Sequence, residues 1–227
     1  MPPKPGADSL SLLDEGPVKG PDYSFELMLA GRGRRKIAGV DEAGRGPLAG
    51  PVVAAAVILD PGNIPDGIND SKAMTRAARE RLFIDITQNA RVAWCAVRAE
   101  EIDRINILQA TFVAMCRAVS MLGTEPDSCL IDGRDVPSGL RHFGQSIVRG
   151  DALCLSIAAA SIVAKVVRDA MMLEADARWP QYGFATNAGY GTAEHMLALQ
   201  EAGPCPLHRH SFAPVAQSRA ARAMVSA

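Results

Sequence analysis

Four acidic residues carry the chemistry this sequence offers: the adjacent pair Asp41–Glu42, then Asp132 and Asp151. Each position follows a short apolar, strand-like run and has glycine nearby, as in Ile37-Ala38-Gly39-Val40 before the pair and Ile131-Asp132-Gly133 later. Unpaired carboxylates gathered at one sheet edge repel, raise one another's pKa and call for a cation. An all-oxygen donor set without His or Cys selects hard ions, Mg²⁺ or Mn²⁺. Two such ions suit in-line displacement at phosphorus, one activating the attacking water and the other stabilising the leaving oxygen. For any single acid the plainer alternative is a solvated turn residue or a helix cap. Three strand ends with the same device weigh against coincidence. Spacing alone carries the argument to a carboxylate metal site, because it does not show that the strands are neighbours.

The elements that must position these acids follow from periodicity. Ile37 to Asp41 reads as a buried strand, and the nearly all-apolar Val52 to Leu59 as a second, joined by a Gly/Pro connection suited to an antiparallel hairpin. Neighbouring side chains on a strand face opposite ways, so Asp41 and Glu42 converge only where the strand stops or bulges. Asp70-Ser71-Lys72 precedes a helix over about 75–89, and 92–97 is a third strand. Residues 100–122 are helical, in one piece or two, with Ile102, Ile105, Leu108, Phe112, Met115 and Val119 on one stripe. Short strands over 128–131 and 145–148 end in Asp132-Gly133 and Arg149-Gly150-Asp151, and helices follow over 156–172 and 192–202. Clustered strands followed by alternation with helices predict an α/β domain with a mixed sheet.

Composition narrows the class. The chain has 227 residues, 48% hydrophobic and 22% charged, with net charge −1, so a surface for nucleic acid would be a local basic patch. Five cysteines without CxxC pairing, and no secretory signal, predict reduced thiols in a cytoplasmic protein. No apolar run reaches the length of a membrane span. Residues 1–34, rich in Pro and Gly, are expected to form a flexible extension with 23–30 docking locally, followed by a catalytic domain over 35–215 and a tail over 216–227. The basic segment 31–36 reads as a solubilising linker.

The stretch Val40-Asp41-Glu42-Ala43-Gly44-Arg45-Gly46-Pro47-Leu48-Ala49-Gly50-Pro51-Val52 resembles the signature of the ribonuclease HII family. Further matches are Asp70-Ser71-Lys72, 102–110 (IDRINILQA), Ile131-Asp132-Gly133, Gly150-Asp151, 158–169 (AAASIVAKVVRD), 189–195 (GYGTAEH) and 208–214 (HRHSFAP), in the family's order. The resemblance implies a ribonuclease H-like fold, a central mixed five-stranded sheet flanked by helices with a helical C-terminal portion. It places the family's catalytic, metal-holding carboxylates on Asp41, Glu42, Asp132 and Asp151. Gly44-Arg45-Gly46 is similar to the loop that reads the ribose 2′-OH at an RNA–DNA junction, where a backbone without Cβ approaches a sugar edge. Tyr190 matches the tyrosine that stacks on the deoxyribose after the junction.

Ser71 and Lys72, with Lys165 and Arg168 behind them, are candidates for backbone phosphates. Asp169 is open between an auxiliary and a salt-bridged structural role. His195 and His208 read as structural, each imidazole with a backbone partner. The implied activity is Mg²⁺- or Mn²⁺-dependent cleavage of the RNA strand of RNA–DNA hybrids, and incision 5′ to a lone ribonucleotide in duplex DNA, by a monomer. A resolvase- or integrase-like nuclease of the same fold and a catalytically silent hybrid-binding module are the rivals. The Gly-Arg-Gly turn argues against the first and the complete acid set against the second.

Overall fold

The computed structural model describes residues 20–225, and side chains as far as 221. The expectation of a flexible extension therefore lies, for residues 1–19, outside the described residues. From there the chain forms α1 (Ser24–Ala30), β1 (Ile37–Ala43), β2 (Val52–Leu59), α2 (Arg76–Asn89), β3 (Ala90–Val97), α3 (Ala99–Ile105) and α4 (Ile107–Ser120). Then come β4 (Ser128–Asp132), β5 (Gly144–Ile147), α5 (Gly150–Leu153), α6 (Leu155–Arg178), α7 (Phe184–Asn187), α8 (Ala193–Ala202) and α9 (Ala213–Val225). The strands make one sheet in the order β3-β2-β1-β4-β5. β1, β2 and β3 pair antiparallel, whereas β4 lies parallel to both β1 and β5, so the sheet is mixed as expected.

Why β2 is apolar throughout is visible in its two faces. Val52, Ala54, Ala56 and Ile58 pack under α4, and Val53, Ala55, Val57 and Leu59 under α2 and α6, so neither face meets water. The helix over 100–122 is two helices, because Asn106 takes a positive φ of 68° and then caps α4 by accepting the Gln109 N–H at 3.0 Å. α6 runs on to Arg178, past the end at 172 expected from its alanine-rich start.

The 24-residue α6 lies directly against β1. Gly39 makes this approach possible, since a Cβ there would fall inside the backbone of Ser156 and Ile157. The facing stretch of α6 is small, with Ala158, Ala159, Ala160 and Ala164 fully buried. α1 anchors the same end of α6. The Glu26 carboxylate accepts the Ser156 N–H at 2.8 Å and Leu29 packs with Ile37, Leu130 and Ile157, so 24–30 belong to the packed body. At the other terminus α9 crosses the expected boundary at 215, with Val215 and Ser218 buried.

Replacing Gly39 by Ala should force α6 off β1. The expected cost is about 1–3 kcal/mol, the usual range for overpacking a filled core. Denaturant or thermal melts check this, and a variant as stable as the parent would remove the close-approach account.

Candidate active site

The site is built where β1 and β4 run side by side. Alternation puts Gly39 and Asp41 on the α6 face of β1, and Ala38, Val40 and Glu42 on the α4 face. The parallel register pairs Val40 with Ile131, so one step further along brings Asp132 alongside Asp41. This corrects the expectation that the acidic pair converges at a strand end or bulge. β1 continues through Ala43 in regular register, with Asp41 opposite Ala55 and Glu42 opposite Ala54. Convergence comes from the neighbouring strand. Asp151 arrives from α5, whose first amide, that of Gly150, donates to Asp132 Oδ1 at 2.7 Å.

Burial and like charge act together on these groups. Asp41 is raised well above the ordinary carboxyl value by burial, and then by the charges of Glu42 and Asp132. Burial also raises Glu42, against the lowering effect of Arg45, and it raises Asp132, with the Asp151 charge adding to it. Such a set favours a positive partner. Side chains supply part of it: Lys72 Nζ is paired with Asp151, and Arg45 Nη1 lies 3.4 Å from Glu42 Oε1. The donors fit a hard cation in type, being all carboxylate oxygen. Among the described residues, however, no three acids, histidines or cysteines are placed to hold one ion as the side chains stand.

The structure separates the other expected contacts. Lys72 is the exposed member of its loop. Ser71 is instead buried, its hydroxyl 2.9 Å from that of Ser161 on α6, so it braces the loop and is not offered to a phosphate. Arg79 holds the same loop by donating to the Ser71 and Met74 carbonyls at 2.9 and 2.6 Å. Lys165 pairs with Asp169 at 2.7 Å, and Asp169 also faces Arg79 at 4.0 Å. Asp169 lies two turns along α6 from Ser161, about 12 Å at helical rise, which places it in an ion-pair group apart from the other acids. Arg168 is buried and donates to the Pro51 and Ala49 carbonyls at 3.0 and 3.3 Å, so the phosphate contact considered for it is not available.

Arg168 and Arg209 together shape the Gly44-Arg45-Gly46 turn. Arg209, also fully buried, donates from Nη1 to the Arg45 carbonyl at 2.8 Å, from Nη2 to the Gly44 and Gly50 carbonyls, and from Nε to Gly50 at 3.1 Å. Burial lowers its pKa to about 9, so it stays charged at neutral pH. Gly44 is doubly constrained, with φ of 94° and no space for a Cβ beside the Arg168 side chain. Gly46 faces the Tyr190 ring, where a Cβ would make ordinary contact at 3.6 Å. Tyr190 is half exposed. Arg209, Arg79 and Ser161 were not singled out from the sequence, although the 208–214 motif contains the first and the 158–169 motif the last. A basic residue with buried carbonyl partners has the same one-letter signature as a surface cation.

His195 and His208 are buried, as expected of structural residues, and they contact each other Nε2 to Nε2 at 3.0 Å. Burial pushes both below the usual histidine value, His208 to about 4, so both are neutral at pH 7.

Comparison with known proteins gives the family. A family profile described as Ribonuclease HII matches residues 38–215. A ribonuclease HII of Cereibacter sphaeroides is 55% identical over 195 residues, which is 86% of this chain and 92% of that protein. One of Rhizobium etli is 50% identical over 218 residues, 96% of this chain and 95% of its own length. Among solved structures, the ribonuclease H2 of Pyrococcus horikoshii OT3 superposes with a TM-score of 0.70 at 27% identity, over 82% of this chain and 98% of that one. With acids, glycine turn and sheet order in place, the chain belongs to the ribonuclease HII family and is a ribonuclease H, a nuclease of the hydrolase class.

Proposed function

We propose that the enzyme hydrolyses the RNA strand of RNA–DNA hybrids and also incises duplex DNA on the 5′ side of a single embedded ribonucleotide, leaving 3′-hydroxyl and 5′-phosphate ends. One observation carries this reading. The acids of β1 and the Gly44–Gly46 turn are consecutive in one stretch of chain, and the Tyr190 ring stands against Gly46. A group that recognises a ribose and a group that assists attack on the adjoining phosphate are thus held at a fixed spacing. Arg168 and Arg209 hold the carbonyls of residues 44, 45 and 49–51, which fixes the course of the turn that would meet the sugar.

Asp41, Glu42, Asp132 and Asp151 are the residues that would hold the divalent ions. Bound Mg²⁺ or Mn²⁺, two ions in this reading, would supply charge neutralisation for the attacking water and the leaving oxygen in an in-line displacement. The protein's own part is to present carboxylates that are costly to keep charged without a cation, since burial and mutual repulsion raise Asp41, Glu42 and Asp132. Lys72 and Arg45, which neutralise Asp151 and Glu42 in the free protein, become available to backbone phosphates once those acids turn inward.

Asp132→Asn keeps the side-chain shape but removes one charge. Its kcat should fall at least about 100-fold, as for loss of a group that stabilises transition-state charge. The fold should be as stable as the parent or more so at neutral pH, because the native state raises that carboxyl and so disfavours its charge. Steady-state cleavage with Mg²⁺ and with Mn²⁺, beside a thermal melt, tests both; near-parental turnover with unchanged metal dependence would refute the assignment. Tyr190→Ala should reduce kcat/KM on a duplex with one ribonucleotide about tenfold more than on a long hybrid, the scale of one lost stacking contact. Equal loss on the two substrates would take junction reading away from that residue.

A further inference from the structure

The buried imidazoles of His195 and His208 lie in a hydrogen-bond chain whose ends are chemically fixed. At one end the Cys205 backbone N–H, which can only donate, points to His208 Nδ1 at 3.0 Å. At the other the Tyr190 carbonyl, which can only accept, lies 2.8 Å from His195 Nδ1. Between them the two Nε2 atoms are 3.0 Å apart. A neutral His208 that accepts at Nδ1 must carry its proton on Nε2, which it donates to His195 Nε2. His195 then carries its own proton on Nδ1 and donates it to Tyr190. All three links are satisfied by this single arrangement of two protons. A third proton on the pair sets N–H against N–H, either between the rings or at Cys205. The burial that keeps both rings neutral is provided by Tyr182 and Phe184, whose rings stack on each other and meet both histidines.

The chain closes a circuit with the glycine turn. Leu207 accepts the Gly50 N–H at 2.9 Å, Leu48 accepts the Arg209 N–H at 2.8 Å, and Gly189 accepts the Leu48 N–H at 2.8 Å. The segment just after the ribose-reading turn is therefore bonded both to the His208 loop and to the residue preceding Tyr190. We propose that His195 and His208 are positioning residues that fix Tyr190 against the Gly44–Gly46 turn, and that through this spacing they set the enzyme's preference for a junction ribonucleotide. The proposal rests on the reading of Tyr190 as the junction-stacking residue. His195 holds Tyr190 by its carbonyl, so its effect reaches substrate through the placement of the ring.

Isosteric variants separate positioning from packing. In His195→Asn the amide nitrogen stands where Nδ1 was and keeps the bond to Tyr190; in His195→Gln it stands nearer the place of Nε2 and loses that bond. His195→Leu loses both. Measured as kcat and KM on a one-ribonucleotide duplex and on a long hybrid, His195→Leu should lower the ratio of kcat/KM for the first to that for the second. The expected factor is about five- to tenfold, the worth of one buried hydrogen bond, and it should appear mainly in KM. His195→Asn should recover most of the ratio and His195→Gln should not. Equal loss on both substrates, or Asn and Gln behaving alike, overturns the proposal. Should the Leu variant fail to fold, the Asn–Gln comparison decides alone. Tyr190→Ala, assayed alongside, tells the two possible failures apart. If it leaves the ratio unchanged, the junction reading falls and the positioning role falls with it. If it shifts the ratio while His195→Leu does not, the positioning role alone falls.

Discussion

The backbone contact between β1 and α6 is the constraint on which the other features depend. Gly39 lets the helix lie where a side chain would stand, and the alanine-rich face of α6 accepts the same closeness. With that approach made, α6 reaches the site along its length. Its first turn is held by Glu26 of α1, Ser161 meets Ser71 beside Asp41, and Arg168 reaches the turn after β1. Met172, one turn further on, lies against Gly50. A single helix thus sets the depth of the acids, the position of the Asp70–Lys72 loop and the course of the glycine turn.

The charges are divided in a way that serves binding at the cost of some stability. Buried acids lie on one side and buried guanidiniums on the other, yet Arg168 and Arg209 are spent on backbone carbonyls, not on these carboxylates. Pairing the two sets would satisfy both and leave nothing for a ligand. As arranged, the acids stay raised, and the arginines stay charged while holding the carbonyls of the turn. Among the described residues, Lys72 and Arg45 alone, both with long and largely exposed side chains, form ion pairs with these acids, and such contacts are readily exchanged.

Much of the fold was legible because its signals are local. The apolar run of β2, the start of α2 near 75, the apolar stripe of the helices over 100–122 (Leu108 apart, which is exposed) and the glycine turn after Glu42 each follow from neighbours in sequence. Boundaries were less so, since α6 continues to Arg178 and α9 passes 215 on the strength of distant packing partners. The family's motifs named the acids, the turn and the tyrosine, but motif membership says nothing of which way a side chain faces. Ser71 and Arg168 sit inside matching motifs and turn out to be buried supports.

The sequence by itself determined the residue types and their order: carboxylates at the ends of apolar runs, glycines where the backbone must turn or approach closely, and apolar runs long enough for a buried sheet. Tertiary structure alone decided the convergence. The β1–β4 register sets Asp132 beside Asp41, α5 brings Asp151, and Arg209 reaches back more than 150 residues to the turn. Those contacts depend on pairing and burial across long sequence separations, for which no local pattern in the chain provides a signal.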